Sequence, residues 1–235
     1  MALYVIGDLH LSLTSDKPMD VFGGGWENYL EKLSEGFKVL DENDTCVLCG
    51  DISWGMTLEE SLEDFRFIDN LPGKKIVLKG NHDYWWTTVS KMKAFFESQG
   101  ICSIDILHNN SYFRENAAIC GTRGWLRDDS LTDDENNKIM DREIGRLRAS
   151  LRAADATSPK DAERICFFHY PPRHQHTVCD GLISAMNDFG VTRCFYGHLH
   201  GHGHRLAVRG VTGGIKYDII SADYINFTPQ KVETI

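Results

Sequence analysis

The strongest constraint in this chain is positional. Five short segments rich in metal-ligand chemistry, spread over nearly two hundred residues, each follow directly on an apolar run: Asp8-Leu9-His10, Gly50-Asp51, Gly80-Asn81-His82-Asp83, His169 and Gly197-His198-Leu199-His200. The runs ahead of them (Leu3 to Ile6, Cys46 to Cys49, Lys75 to Leu78, Arg164 to Phe168 and Thr192 to Tyr196) have the length and side chains of buried strands. In open α/β sheets, ligands bind beyond the carboxyl ends of the strands, so these side chains converge in space. Amphipathic stretches alternate with the strands in the first half, which is the pattern of βαβ units and places the chain in the α/β class.

Trp26 to Leu40 and Leu58 to Leu71 are predicted helices, the second opening on a capping-box pair, Thr57 and Glu60, and closing before Pro72-Gly73. Thr88 to Gln99 is a third, ended by Gly100. Tyr112 to Arg114 and Ala117 to Cys120 flank Glu115-Asn116 as a hairpin or as adjacent strands. From Thr132 to Ala154, Met140, Ile144, Leu147 and Leu151 follow helical spacing, with acids in the first turn and Arg146, Arg148 and Arg152 further along, a polarity that complements the helix dipole. A solvent-facing helix accounts for this, with a lid as the alternative. Val178 to Phe189 is a further helix. Beyond His200, Arg205 to Val208, Lys216 to Ser221 and Tyr224 to Phe227 have the β-branched and aromatic content of an antiparallel closing sheet.

A chain of 235 residues with 42% hydrophobic content suits one domain spanning residues 1–235. No stretch approaches the roughly 18 consecutive apolar residues of a membrane span. Leu3 to Ile6 is too short for a signal peptide, so a cytoplasmic location is expected. The seven cysteines sit mostly inside apolar runs, as buried thiols do. Cys46 and Cys49 have a zinc-type spacing, but along a strand their side chains point to opposite faces. The net charge of -9 and pI near 5.5 count against a broad nucleic-acid surface and favour a small substrate. An acidic protein acting on an anionic ester needs concentrated local positive charge, which divalent cations supply.

Asp8 and His10, like His198 and His200, stand two residues apart, which puts both side chains of each pair on one side if the extended backbone persists. Taken together, the DxH, GD, GNH-plus-acid, lone His and GHxH segments resemble the calcineurin-like metallophosphoesterase superfamily, over Asp8 to His200. The resemblance implies two packed mixed β-sheets flanked by helices, an α/β/β/α sandwich. It also implies that Asp8, His10 and His200 hold one metal ion, that Asn81, His169 and His198 hold a second, and that Asp51 bridges them. His82 then resembles the family's general acid, and Asp83 is expected to orient it or else to be solvent-exposed. Mixed carboxylate, imidazole and amide donors suit divalent ions; manganese is the first expectation, with iron, zinc or nickel as alternatives. Two such ions lower the pKa of a shared water to give hydroxide and neutralise phosphoryl oxygens.

The protein serine/threonine phosphatases of this superfamily continue the Gly-Asp motif with Asp-Arg-Gly; here Ile52-Ser53-Trp54-Gly55 follows, which disfavours a phosphoprotein substrate. Phe22 to Trp26 and Asn81 to Trp86 resemble a bacterial branch whose substrate is unassigned. Near the expected site, Arg123 and Arg173 are candidate phosphate contacts or surface ion pairs. Trp85 and Trp86 could stack on a planar leaving group or fill the core. His174, His176, His202 and His204 are expected at the rim. The expected function is hydrolysis of a small phosphomonoester or phosphodiester, with no membrane partner; a nuclease and a non-catalytic scaffold are the alternatives.

Overall fold

The computed structural model describes residues 1–233, so Thr234 and Ile235 of the expected 1–235 domain lie outside the described range. In chain order the strands are β1 (Leu3–Ile6), β2 (Thr45–Cys49), β3 (Lys74–Leu78), β4 (Ile104–Ile106), β5 (Tyr112–Arg114), β6 (Ala117–Thr122), β7 (Glu163–Phe168), β8 (Arg173–His174), β9 (Thr177–Val178), β10 (Arg193–Tyr196), β11 (Gly210–Thr212), β12 (Ile215–Ile219) and β13 (Gln230–Val232). The α-helices are α1 (Tyr29–Gly36), α2 (Leu62–Asn70), α3 (Val89–Ser98), α4 (Asp133–Thr157) and α5 (Asp180–Asp188).

Two mixed sheets result, ordered β13-β1-β2-β3-β4 and β11-β12-β10-β7-β6-β5. In the first, β1 to β4 are parallel and β13 is an antiparallel edge. In the second, β12, β10, β7 and β6 are parallel, with β11 and β5 antiparallel at the edges. Three layers of apolar packing follow from the period-2 alternation of the strands. Val5, Val47, Cys49, Ile76 and Leu78 of the first sheet meet Ile119, Ile165, Phe167 and Phe195 of the second in the middle layer. Their neighbours Ile6, Cys46, Leu48 and Val77 face outward onto α1, α2 and α3 through Leu33, Phe65, Ile68, Met92 and Phe96. Cys166, Phe168, Cys194 and Tyr196 face α4 and α5 through Leu147, Leu151, Leu182 and Met186. Sheets covered on both faces need strands that are apolar throughout, which is why the runs before the motifs were legible. Cys46 and Cys49 fall in different layers, and all seven cysteines are free.

Several element boundaries differ from expectation. Asn28, in the left-handed region at φ 53, breaks the chain just before Tyr29, so the expected helix over 26–40 contracts to α1 between single 3-10 turns. Thr57 Oγ1 does accept the Glu60 N–H (3.2 Å), but the Glu60 carboxylate takes the N–H of Met56 rather than that of Thr57. The pair therefore caps an isolated turn, and α2 starts only at Leu62. Thr132 and Glu135 form a complete capping box on α4, whose inner face is packed on β6 and α5. The closing antiparallel sheet forms only in part: the strand expected at Lys216 to Ser221 is β12, antiparallel to β11 but parallel to β10, whereas residues 205–206 end a 3-10 turn and Tyr224 to Phe227 are turns with Asn226 and Phe227 at positive φ. β-branched and aromatic content reports burial, not pairing direction. Among the described residues no helix is long and apolar enough to cross a membrane.

Candidate metal centre

The carboxyl ends of the parallel strands come together where the two sheets meet. Gly7 donates to Ile220 O (2.8 Å) and accepts from the N–H of Ala222 (2.9 Å), stitching the end of β1 to the end of β12. Asp8 and His10 leave β1, Asp51 leaves β2 and Asn81 leaves β3, while His169 leaves β7 and His198 and His200 leave β10. The extended backbone does not persist into the motifs. Asp8 (φ 60), His10 (φ 48), Asp51 (φ 51) and His198 (φ 70) all take the left-handed conformation, at about 1 to 3 kcal/mol each for a residue with a side chain. This turning, not strand alternation, aims the side chains inward. Gly50 and Gly80 let two loops touch: a Cβ on Gly50 would lie 2.7 Å from Gly80 Cα, and one on Gly80 would strike Asp51.

Two groups of donor atoms result, with Asp51 Oδ2 lying between them. Asn81 Oδ1 lies 2.6 Å from His169 Nε2 and 3.0 Å from His198 Nδ1, and those two nitrogens are 3.3 Å apart. On the other side His10 Nε2 lies 3.3 Å from His200 Nε2, which is 3.6 Å from Asp8 Oδ1. Asp51 Oδ2 faces both, at 3.5 Å from His169 Nε2 and 3.7 Å from His10 Nε2. Its other oxygen accepts the N–H of His82 (2.8 Å). Lone pairs pointed at one another in this way repel unless a proton or a cation lies between them, and the donor types are those of a divalent transition metal. Among the described residues Asp8 belongs to two cation-sized groups, one with His10 and His200 and one with Asp51 and His169, and His200, His204 and Asp223 form a third.

Electrostatics agree with that reading. Burial holds His10 and His198 down at about 3 and lowers His169, so all three imidazoles are neutral, the form that ligates metal. Burial and the charge of Asp8 raise Asp51 above the usual carboxylate range. Burial opposes His200's charge, but Asp8 and Asp223 outweigh it and push His200 up to about 10. For Asp8, burial acts upward and is overcome by His200, which holds it below its ordinary value. In the metal-free protein, protons on Asp51 and His200 thus occupy the place of positive charge.

Supporting contacts fix these groups. Cys49 O lies 3.1 Å from His169 Nδ1 and leaves Nε2 for the centre. Asp223 Oδ1 lies 2.8 Å from His200 Nδ1, and its other oxygen accepts the N–H of Gly201 (3.1 Å). Sequence reasoning missed Asp223, although it follows an apolar run, Ile219-Ile220, as Asp8 does. Asp83 requires a correction: it is fully buried, and its carboxylate does not orient the His82 ring. It accepts instead the N–H groups of Asp51 (2.9 Å), Ile52 (2.8 Å) and Gly80 (2.6 Å) and the Trp85 indole N–H (3.0 Å). Asp83 thereby clamps the Asp51 loop to the Asn81 loop.

A cavity of about 480 Å³ opens onto the His10 and His200 side, lined by Met19, Trp26, Trp54, His82 and Asp223. The Trp54 ring stacks on His10 at 5.2 Å and lies 4.3 Å from His82, whose buried Nδ1 has no partner among the described residues. Trp85 does not face this space. It is 3% exposed and packed edge-on against Phe65 (4.8 Å), so its expected substrate contact is replaced by a core position. Arg123 lines a second cavity beside the centre, whereas Arg173 lines neither. Of the four rim histidines, His204 reaches Asp223 (3.3 Å), and His176 and His202 are exposed.

The calcineurin-like phosphoesterase profile matches residues 1–202, a span that contains all seven donors. The chain belongs to the calcineurin-like phosphoesterase family. Solved structures of similar fold include an Aquifex aeolicus protein of unknown function (17% identity, 98% of this chain and 95% of that one, TM-score 0.51). The phosphopantetheinyl hydrolase of Mycobacterium tuberculosis is similar as well (14%, 98% and 95%, TM-score 0.55). A protein from Thermus thermophilus also aligns (10%, 98% and 97%, TM-score 0.54). At these identities the likeness is one of fold. Among curated proteins none matches the sequence.

For this phosphoesterase, metal binding should release protons. Near pH 7 Asp51 and His200 are protonated in the metal-free state, so titration of Mn²⁺ into chelator-treated protein should show a buffer-dependent heat, and affinity should tighten as pH rises from 6 to 8. Metal at about 100 times its dissociation constant adds about 2.7 kcal/mol. For a domain of this size that is a rise of roughly 5 to 10 °C in Tm. A heat independent of the buffer's ionisation enthalpy would contradict the protonation assignment.

Proposed function

We propose that this chain is a dinuclear metal hydrolase of a small phosphomonoester or phosphodiester. Asp8, His10, Asp51 and His200 hold one divalent ion, and Asp51, Asn81, His169 and His198 hold the other. The observation that carries this reading is Asp51 Oδ2, which lies within 3.7 Å of donors from both groups while Oδ1 is tied to the backbone. Manganese fits the mixed oxygen and nitrogen donors, with iron, zinc and nickel as alternatives. When bound, such a pair supplies a hydroxide nucleophile near neutral pH and neutralises phosphoryl oxygens. Hydrolysis of 4-nitrophenyl phosphate and its bis-aryl diester, with each metal added in turn, tests the proposal; no turnover with any of them would sink it.

His82 is the general acid in this scheme. Burial, helped by His169 and Lys17, holds it at about 4, so it carries no proton in the free protein at neutral pH. The negative charge of a phosphoester in the adjoining cavity favours the imidazolium, and the proton then passes to the leaving oxygen. Trp54 braces the ring, and Trp26 and Met19 offer the departing group an apolar wall. His82→Ala is therefore expected to slow hydrolysis of an alkyl phosphate by about 10² or more, with a much smaller effect on 4-nitrophenyl phosphate, whose leaving group departs without a proton. Equal losses on both substrates would remove His82 from this role.

A further inference from the structure

A second cavity, of about 630 Å³, opens between the loop after β3, the loop after β6 and α4. Lys79, Arg123, Arg142 and Arg146 line it, with the single carboxylate of Glu143. In a protein of net charge -9, four cations around one space oppose each other at a cost that burial increases. Glu143 does not neutralise them all. It is fully buried, and one oxygen accepts the hydroxyl of Thr122 and the N–H of Gly124, while the other pairs with Arg146 (2.5 Å) and, more distantly, Arg123 (3.7 Å). Among the described residues the side chains of Lys79 and Arg142 have no ion-pair or hydrogen-bond partner, and the buried Nε of Arg123 has none either. Anchoring α4 to β6 accounts for Glu143 and Arg146 but leaves the other charges unexplained.

This cavity shares a wall with the metal centre. Lys79 precedes Asn81 by two residues. The Arg123 carbonyl accepts the N–H groups of His169 (3.2 Å) and Tyr170 (2.8 Å). The Tyr170 ring lies 4.3 Å from that of His198 on one side and 5.8 Å from that of Trp125 on the other. Half-buried Trp86 adds a flat apolar surface. We propose that the cavity binds a second phosphate group of the substrate, held by Lys79, Arg123, Arg142 and Arg146 while the first phosphoester lies at the metal centre. Arginine forks and an unpaired ammonium match phosphate oxygens in number and charge. The substrate class is then a doubly phosphorylated small molecule, an assignment that rests on the hydrolase reading above.

The test uses Mn²⁺-loaded protein and three matched probes, adenosine 3′,5′-bisphosphate and the 3′- and 5′-monophosphates. Wild type should favour the bisphosphate over either monophosphate at least tenfold in kcat/KM. In Arg142→Ala/Arg146→Ala that preference should fall at least tenfold; Arg142→Ala alone, at an exposed position, should lower it in the same direction and guards against misfolding of the double variant. A wild type without the preference, or a preference that survives both variants, overturns the proposal. Calorimetric titration of the same probes separates the two readings. If neither these probes nor the two aryl esters are hydrolysed but the bisphosphate binds at least tenfold tighter than the monophosphates, and the variants erase the difference, the cavity stands and the hydrolase reading falls. Equal binding of all three overturns the cavity.

Discussion

Asp51→Asn protein is expected to keep its fold and lose phosphoesterase turnover by a factor on the order of 10³. The amide oxygen can still accept the His82 N–H, so the loop is preserved. The group replacing Oδ2 is an amide nitrogen without a lone pair for a cation, set between His10 and His169. Stability should respond in a way that separates ligand loss from damage. In chelator the substitution removes a carboxyl whose anion is disfavoured by burial and by Asp8, so the variant should melt at or above the wild-type temperature. With Mn²⁺ added, wild type should gain stability and the variant should gain much less. Activity within tenfold of wild type would end the bridging role, and His198→Ala provides an independent check on the other donor group.

The second large effect is expected at Asp83, and it is one of stability. Asp83→Ala leaves the N–H groups of Asp51, Ile52 and Gly80 and the indole of Trp85 facing an apolar gap. Breaking a buried charged network of this kind costs about 3 to 5 kcal/mol. Denaturant melts measure it, and a loss under about 1 kcal/mol would show that the clamp is dispensable. The pH dependence has a definite sign. Burial above all pushes Asp83 up to about 6 from an ordinary 3.8, so the native state keeps this proton to higher pH than the unfolded chain. Its contribution is full below about pH 4 and declines as pH rises through about 6. The gap between wild type and Asp83→Ala in metal-free protein should accordingly be wider at pH 4 than at pH 7.

What could be read from the letters follows from what burial demands of them. Strands covered on both faces must be apolar throughout, so β1, β2, β3, β7 and β10 stood out, whereas the three-residue β4 and β11 left too short a pattern. The seven candidate donors were legible by residue type and order, but their aim was not, because the left-handed turns at Asp8, His10, Asp51 and His198 are uncommon for any residue with a side chain, even for Asp and His, which adopt them more often than most. Asp83 shows a different limit. It looked like a companion of His82, yet the groups it serves in the Asp51 loop lie some thirty residues away. Likewise the arginines of α4 read as a complement to the helix dipole, and only the folded chain sets Arg142 and Arg146 opposite Lys79 and Arg123.

One consequence concerns the seam between the sheets. Asp8, Asp51 and Asn81 hang from one sheet and His169 and His198 from the other, so whatever occupies the space between them adds a rivet to two halves already joined by side-chain packing and by the Gly7 backbone bonds to Ile220 and Ala222. Amide protons on either side of that rivet, around Gly50 and Gly197, should exchange with solvent markedly more slowly once metal is bound, while those of the remote β5 edge should be indifferent. A cation bound there would stiffen the seam locally, in a sandwich that stays closed without it.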